Sequence, residues 1–334
     1  MSAAGAGAGG GETRTLGFML IDGFALMSYA SVVEPFRAAN TLAGHELYRW
    51  IHVSVQGGAV RASNGAAIVA DRTVGDPLAC DLLFVVAGGD PKTFNDLRTF
   101  EWLRQQARSG AAIAGVSGGP YLLARAGLLH GHRATIHWEH AEAFREDFPQ
   151  IELASGLYVV DRRRMTCAGG VAGLDLAIEL IERDHGQALA RRVGEWFIRT
   201  ESRTAERPQR PSLRERYGVR SDAVLRALAA MESRVEEPAS RPALARAAGI
   251  SLRQLERRFQ TELGASIART YLAIRLGQAE RMLRTTGLSV AEVAAACGFA
   301  SASHFGRVFR AAYGGSPARR GIAGGATTGS ADRR

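Results

Sequence analysis

Two stretches near the carboxyl end decide how this chain is read. They are S-L-R-Q-L-E-R-R-F-Q-T-E-L-G at residues 251–264 and S-V-A-E-V-A-A-A-C-G-F-A-S-A-S-H-F-G-R-V-F-R-A-A-Y-G-G-S-P at residues 289–317. In the first, Leu252, Leu255, Phe259 and Leu263 recur at i, i+3, i+7 and i+11, one face of a helix, and leave Arg253, Glu256, Arg257 and Gln260 on the other. Ser251 with Gln254 three residues on has the spacing of a capping box. Just ahead, Ser240 can cap a short helix over 241–248 that stops at Gly249, a residue suited to the left-handed conformation that ends helices. A short helix, a glycine turn and a second helix with arginine and glutamine on its outer face is the helix-turn-helix plan. The plan then recurs. Ser289 and Glu292 cap a helix over 290–297, Gly298 turns the chain, and Ser301 starts a helix with Phe305, Val308, Phe309 and Ala312 inward. Ser303, Gly306, Arg307 and Arg310 remain for the outside. The two candidate recognition helices begin fifty positions apart, joined by a long helix around 271–284. Held rigidly, such helices could enter successive major grooves about 34 Å apart. One pattern alone reads more readily as amphipathic helices with solvated arginines; two copies in one basic domain point to DNA.

The charge distribution agrees. Residues 201–334 hold 23 arginines against 12 acidic residues, while residues 1–200 hold 19 basic against 21 acidic, so the whole net charge of +9 comes from the second part. That asymmetry implies a polyanionic partner for that part alone. A coding bias toward arginine, hinted at by the single lysine, Lys92, would raise the charge as well. Hydrophobic content of 46% with 22% charged residues is that of a soluble globular chain. At 334 residues it has room for two domains, each with its own core. No apolar run approaches the ~18–20 residues of a membrane span, so no membrane partner is expected. The Ala/Gly-rich residues 1–11 read as a disordered lead and not as a secretory signal, which places the protein in the cytoplasm. Cys80, Cys167 and Cys297 are odd in number and far apart, with no metal-ligand spacing. No metal and no cofactor are expected.

From residue 15 to about 199, short apolar runs (16–21, 50–55, 82–86, 111–116) alternate with amphipathic helical stretches (31–42, 94–109), and helices over 174–185 and 188–199 close this part. Strand–helix alternation with near-continuous apolar strands indicates an α/β domain with a mostly parallel sheet. Residues 200–217, with Pro208, Pro211 and many charges, read as a linker. Helical periodicity then runs to Tyr313, giving an all-α domain over 218–320. Residues 1–14 and 321–334 are read as disordered ends.

The quoted stretches, together with Y-L-A-I-R-L-G-Q-A at 271–279, resemble the DNA-binding domain of AraC-type regulators over about residues 220–320. The resemblance implies double-stranded DNA of a promoter or operator as partner, RNA polymerase as a second partner, and a homodimer joined through the α/β domain. It matches Arg253, Glu256 and Arg257 to the base-facing positions of the first recognition helix, and Ala302, Ser303, Gly306 and Arg307 to those of the second. Arginine suits guanine because its planar fork makes two parallel bonds to O6 and N7. Arg258 and Arg310 are read as phosphate contacts or surface charge.

In the first domain the sharpest signal is G-V-S-G-G at 115–119. It fits G-x-S-x-G, the strand-to-helix elbow that carries the serine of hydrolases. Such a serine needs a base, usually a histidine oriented by a carboxylate. His137, on the next predicted strand, is the nearest in sequence, but the hydrolase order of serine, acid and histidine is not evident. The pieces V-V-E-P-F-R-A-A-N (32–40), V-V-A-G-G (85–89), G-V-S-G-G-P-Y-L-L-A-R-A-G-L-L (115–129), T-I-H-W (135–138) and T-C-A-G-G (166–170) resemble the glutamine-amidotransferase-like, PfpI-type domain of GlxA-type AraC regulators. That resemblance implies a flavodoxin-like amidotransferase-type sandwich and, within the group, regulators of quaternary-amine or arginine catabolism. Its catalytic members carry cysteine where Ser117 stands and histidine where Gly118 stands. Both parts are absent, so no catalytic residue is assigned and a non-catalytic effector pocket is expected. Its candidate residues are Tyr29, Glu34, Gly89, Ser117, His137 and Trp138, near strand ends, where open α/β sheets bind ligands. Tyr29 and Trp138 read more readily as core aromatics and His137 as a structural histidine, and Glu34 reads equally as a capping or surface acid. A Trp/Tyr pair with a carboxylate would suit a quaternary ammonium or an amino-acid-like effector. Cys167 reads as a small buried hydrophobe. A PfpI-like serine hydrolase or amidase with a helical appendage is the alternative.

Overall fold

The computed structural model describes residues 12–199, 201 and 203–318. Most of the expected lead and all of the expected tail, residues 321–334, lie outside the described residues. The chain divides into two compact units, one ending at Gln209 and the other starting at Arg210.

The first unit runs β1 (Arg14–Leu20), α1 (Leu26–Ala43), β2 (Tyr48–Ser54), β3 (Ala59–Arg61), β4 (Ala67–Val69), β5 (Arg72–Thr73), β6 (Leu82–Ala87), α2 (Leu97–Arg108), β7 (Ala112–Ser117) and α3 (Gly119–Arg125). It continues with β8 (Arg133–Ala134), α4 (Ala141–Asp147), β9 (Glu152–Leu153), β10 (Tyr158–Asp161), β11 (Arg164–Cys167), α5 (Ala172–His185) and α6 (Gln187–Trp196). Seven strands form one sheet in the order β10-β11-β7-β6-β1-β2-β5. All neighbours are parallel except β10 and β11, which form an antiparallel edge. Because side chains alternate across a strand, Leu16, Phe18, Leu20, Phe84 and Val86 go to one face and pack with Phe36, Leu176, Ile181 and Val193 of α1, α5 and α6. Met19, Leu83, Val85 and Ile113 go to the other, with Phe100, Leu103, Leu122 and Phe144 of α2, α3 and α4. The result is the expected three-layered α/β sandwich, buried on both faces.

The linker reading of 200–217 needs correction. Arg203 donates to the carboxylate of Asp175 and to the carbonyl of Val171. Leu157 N–H donates to Ala205 O at 2.8 Å, and the Gln209 side-chain amide donates to Thr135 Oγ1, Ile136 O and Gly156 O at 2.9–3.1 Å. Thus Arg203, the Ala205 carbonyl and Gln209 act as anchors, and the described part of 201–209 is a strap on the α/β unit. The rest of that segment contains α7 (Leu213–Tyr217), held by a complete Ser212/Glu215 capping box.

The second unit continues with α8 (Asp222–Glu232), α9 (Arg241–Ala248), α10 (Leu252–Leu263), α11 (Ile267–Thr285), α12 (Val290–Ala296) and α13 (Ala302–Tyr313). It has two cores. Val224, Leu228, Leu244, Leu255 and Phe259 build one, and Val293, Cys297, Phe299, Phe305 and Phe309 the other. The long α11 belongs to both, giving Ile267 and Tyr271 to the first and Leu276, Ala279 and Leu283 to the second. Ala312, expected inward, is exposed, and Val308 is half-buried; it packs with Tyr313 against the core that holds Phe305 and Phe309. Among the described residues no helix is long and apolar enough to cross a membrane.

Candidate functional site

Each helix pair in the second unit is locked by local chemistry. Ser240 Oγ accepts the Ala243 N–H at the start of α9, and Gly249 ends that helix at φ 71°. Ser251 and Gln254 cap α10 reciprocally, which satisfies two of the amide groups a helix start leaves free. Ser289 and Glu292 do the same for α12, Gly298 turns at φ 69°, and Ser301 caps α13 by accepting the His304 N–H. A Cβ on Gly298 would lie 2.6 Å from Glu236 O and 2.7 Å from Val235 O, so the second turn requires glycine for space as well as for φ.

This locking leaves one face of each second helix in water. On α10, Arg253, Glu256, Arg257 and Gln260 are exposed, opposite buried Leu255 and Phe259. On α13, Ala302, Ser303, Arg307 and Arg310 are exposed and Gly306 is half-buried, opposite buried Phe305 and Phe309. The guanidinium groups of Arg253, Arg257, Arg307 and Arg310 have no hydrogen-bond or ion-pair partner among the described residues. Glu256 differs, lying 3.3 Å from Arg241. Arg258 differs too: its guanidinium donates to Ser221 Oγ at 2.7 Å.

In the α/β unit, β7 hands over to α3 through Ser117, a non-glycine residue at φ 61°. The elbow is tight because its glycines have no room for a side chain. A Cβ on Gly119 would stand 2.0 Å from Val85 O, and one on Gly115 would stand 2.6 Å from Pro120 N. Ser117 is buried, and its hydroxyl has no partner among the described residues. The loop after β11 lies directly on it, since a Cβ on Gly169 would come within 2.6 Å of Ser117 Cβ and 2.8 Å of Ser28 Oγ. Ser28 Oγ accepts the Gly170 N–H and Ser31 Oγ donates to Gly170 O, both at 2.7 Å, so the first turns of α1 hold that loop. Sequence reasoning missed Ser28 and Ser31; two serines three residues apart on a helix facing a Gly-Gly loop were the available signal. The loop after β6 reaches the elbow through Pro91, 3.3 Å from a Cβ on Gly118, and Gly89 in that loop is exposed at φ 61°.

The other candidates are placed differently. Tyr29 is in the core, edge-on to Phe18 and Phe24, and its hydroxyl is 2.7 Å from His52 Nε2. Burial, with smaller contributions from Glu34 and Asp71, pushes this phenol up to about 12. Glu34 is a partly exposed acid paired with Arg37 at 2.7 Å. His137 is not on a strand: the chain leaves β8 after Ala134, and His137 caps a short turn over Trp138–His140 by accepting the Glu139 N–H at 3.4 Å. Its ring lies 5.6 Å from that of Trp138 and 6.0 Å from that of His140. Burial holds His137 below the ordinary imidazole range, and burial followed by the neighbouring His137 takes His140 down to about 4. Among the described residues no histidine is hydrogen-bonded to Ser117. Burial pushes the Cys167 thiol up to about 12, which leaves it protonated and inert. No group of three metal-ligating side chains is present among the described residues. An open depression of about 450 Å³ lies at the opposite end of the sheet, lined by Arg14, Thr15, Cys80, Asp81 and Gln106. The carboxyl ends of the strands, where Ser117 sits, are the end at which open parallel sheets present loops to ligands, and they take precedence over that depression.

Comparison with known proteins fits this division. Residues 15–183 match the DJ-1/PfpI family and residues 244–319 match a helix-turn-helix domain. The chain is 40% identical over 307 residues to the HTH-type transcriptional regulator GlxA of Rhizobium meliloti (strain 1021), spanning 92% of this chain and 95% of that one. It belongs to the AraC-type transcriptional regulators with a DJ-1/PfpI domain. Another member at 40% identity is the HTH-type transcriptional regulator CdhR of Pseudomonas aeruginosa, matched over 90% of each chain. The α/β fold is shared with a THiJ/PfpI family protein of Pseudomonas syringae, at a TM-score of 0.50 and 23% identity over 60% of this chain and 79% of that one. As in the AraC-type regulators generally, the helix-turn-helix unit makes this protein a DNA-binding regulator of transcription.

Proposed function

We propose that α10 and α13 are the helices that read the duplex, and that the α/β unit holds a small-molecule effector at Ser117 without chemistry. Arg253, Glu256 and Arg257 would face bases from α10, and Ala302, Ser303, Gly306 and Arg307 from α13. The observation that carries this reading is the set of exposed guanidinium groups on both helices with no partner among the described residues. A planar fork free of protein partners can make two parallel bonds to guanine, and the small Ala302, Ser303 and Gly306 allow the backbone of α13 to approach. A homodimer acting with RNA polymerase at a promoter completes the reading.

For the effector, Ser117 offers an unpartnered hydroxyl on a strained turn, Gly89 a backbone amide, and His137 and Trp138 adjoining ring faces. A quaternary amine or an amino-acid-like molecule suits aromatic faces of this kind. Tyr29 and Glu34 would have to give up His52 and Arg37 to take part. The strap supplies a route to the helical unit: its anchors include Val171, two residues past the Gly169 that lies on Ser117, and Ile136, next to His137. A ligand that favoured one arrangement of these loops over another would shift the strap. Selection of duplexes with wild type and Arg307→Ala tests the DNA reading, which fails if the preferred sequence is unchanged. A thermal-shift screen of the full chain against amines, betaines and amino acids tests the effector reading. The elbow geometry keeps one rival in view, a serine hydrolase. Turnover of an amide or ester panel, abolished by Ser117→Ala, would establish it.

A further inference from the structure

The helical unit contains one three-helix module twice. An offset of 49 residues, as from Gly249 to Gly298, carries Ser240 onto Ser289, Leu244 onto Val293, Ala245 onto Ala294 and Ala248 onto Cys297. One extra residue in the second turn then makes the offset 50, which carries Leu255 onto Phe305, Phe259 onto Phe309 and Gly264 onto Gly314. The apolar members of these pairs are buried at both positions.

The offset of 49 also carries Arg226 of α8 onto Arg275 of α11. Arg226 donates to Ala248 O at 2.6 Å. Arg275 donates through Nε to Cys297 O at 2.8 Å and through a terminal nitrogen to Gly298 O at 2.5 Å, and its guanidinium carbon lies 4.1 Å from the ring centre of Phe299. These acceptors sit at the carboxyl ends of α9 and α12, immediately before or within the turn. A helix leaves its last carbonyls unbonded there and carries partial negative charge. Phe299 in turn packs on Phe305 of α13, ring centres 5.0 Å apart.

We propose that Arg226 and Arg275 are equivalent positioning residues for DNA reading. Each bolts the turn of one helix-turn-helix to the helix before it, and so sets the angle at which α10 or α13 is presented. The proposal rests on the reading of α10 and α13 as recognition helices. The two clamps are unequal, since Arg226 is exposed and makes one such bond whereas Arg275 is half-buried, makes two and stacks on Phe299.

The test uses the full chain and a randomised duplex library, comparing Arg275→Met, Arg275→Lys and Arg226→Met with Arg253→Ala and Arg307→Ala. Arg275→Met is expected to lose about tenfold in enrichment at the bases that also respond to Arg307→Ala, and nothing at those that respond to Arg253→Ala. Arg226→Met shows the reverse pattern at about threefold. The salt dependence of binding stays that of wild type, since no phosphate contact is removed. Arg275→Lys recovers part of the loss, because a single ammonium cannot span two carbonyls or stack as a plane; it supplies the readout where Arg275→Met does not fold. Wild-type enrichment in the Arg275 variants overturns the proposal, as does a loss spread evenly over both sets of bases. A salt slope reduced by about one would make either arginine a phosphate contact instead. If Arg253→Ala and Arg307→Ala themselves leave base preference unchanged, the recognition-helix reading falls and the clamps fall with it.

Discussion

In the α/β unit Arg199 and Arg203 converge on the wholly buried carboxylate of Asp175, Arg14 closes on Asp184, and Arg104 and Arg108 share Glu101. On α10 and α13 of the helical unit, by contrast, Arg253, Arg257, Arg307 and Arg310 are exposed with no partner among the described residues. Arginine is abundant in both units, so the difference lies in what each guanidinium meets. A charge answered within the chain holds elements together and is nearly silent from outside. One left open adds to the field that a polyanion encounters. The net charge of +9 is therefore less informative than where the unanswered part of it is displayed.

Removing the acceptor in the closed set should have the largest effect. Asp175→Asn leaves Arg199 and Arg203 facing a site built for a charge, and a loss of about 3–5 kcal/mol in the unfolding of the α/β unit is expected from urea titrations. An unchanged midpoint would break the comparison. The open set should behave in the opposite way. Arg307→Ala should leave stability within about 0.5 kcal/mol, because the side chain is exposed and makes no hydrogen bond or ion pair among the described residues. It should reduce discrimination at one base position by about 1–3 kcal/mol in a competition assay. Arg310→Ala sharpens the contrast further. An even loss of affinity across sequences, with a salt slope smaller by about one, marks a phosphate contact, and a shifted base preference would count against that role.

Much of the helical unit was legible in the sequence because its signals are local. Capping serines, a partner three residues on and a glycine at the turn all lie within one or two helical turns, and Ser251/Gln254 and Ser289/Glu292 pair as their spacing requires. What joins distant positions was not legible. Arg275 reaches carbonyls more than twenty residues away, and no periodicity marks it among other helix arginines. The strap was hidden for a similar reason. Prolines and charges in 200–217 read as solvated breaks until Asp175, on another helix, is seen to receive two of the arginines nearby. His137 reads as a strand residue from the sequence, whereas in the fold its ring caps a turn. The elbow at Ser117 was visible, but the loop over it, held by Ser28 and Ser31, depends on a contact between α1 and residues far along the chain.

Acid should separate the two units again. His140 is held neutral by burial, with its proton affinity down at about 4, while an unfolded chain takes up that proton near 6.5. Between these values the unfolded state binds more protons, so stability falls as pH falls through the window. From pH 7 to pH 5 the α/β unit should lose about 2 kcal/mol on this account, and His140→Gln should flatten the slope. The helical unit has no buried histidine among its described residues and should not follow. Parallel pH profiles for wild type and His140→Gln would remove His140 as the cause.

The smallest effect concerns two kinds of left-handed turn. At Gly249 and Gly298 the helical unit fills φ near 70° with glycine, whereas the α/β unit keeps a serine at φ 61° at position 117. A side chain in that conformation costs about 1–2 kcal/mol relative to its relaxed state. Ser117→Gly removes that strain but adds freedom to the unfolded chain, so a net gain of only about 0.5–1 kcal/mol is expected, read as a small rise in Tm. If the serine is kept for an effector, the same variant should also lose the Tm increase that a screened ligand gives wild type. The free and ligand-loaded melting temperatures would then move in opposite directions. A variant that melts higher and keeps the full wild-type Tm increase with ligand would show that the hydroxyl contributes nothing to binding, and the strain at Ser117 would need another explanation.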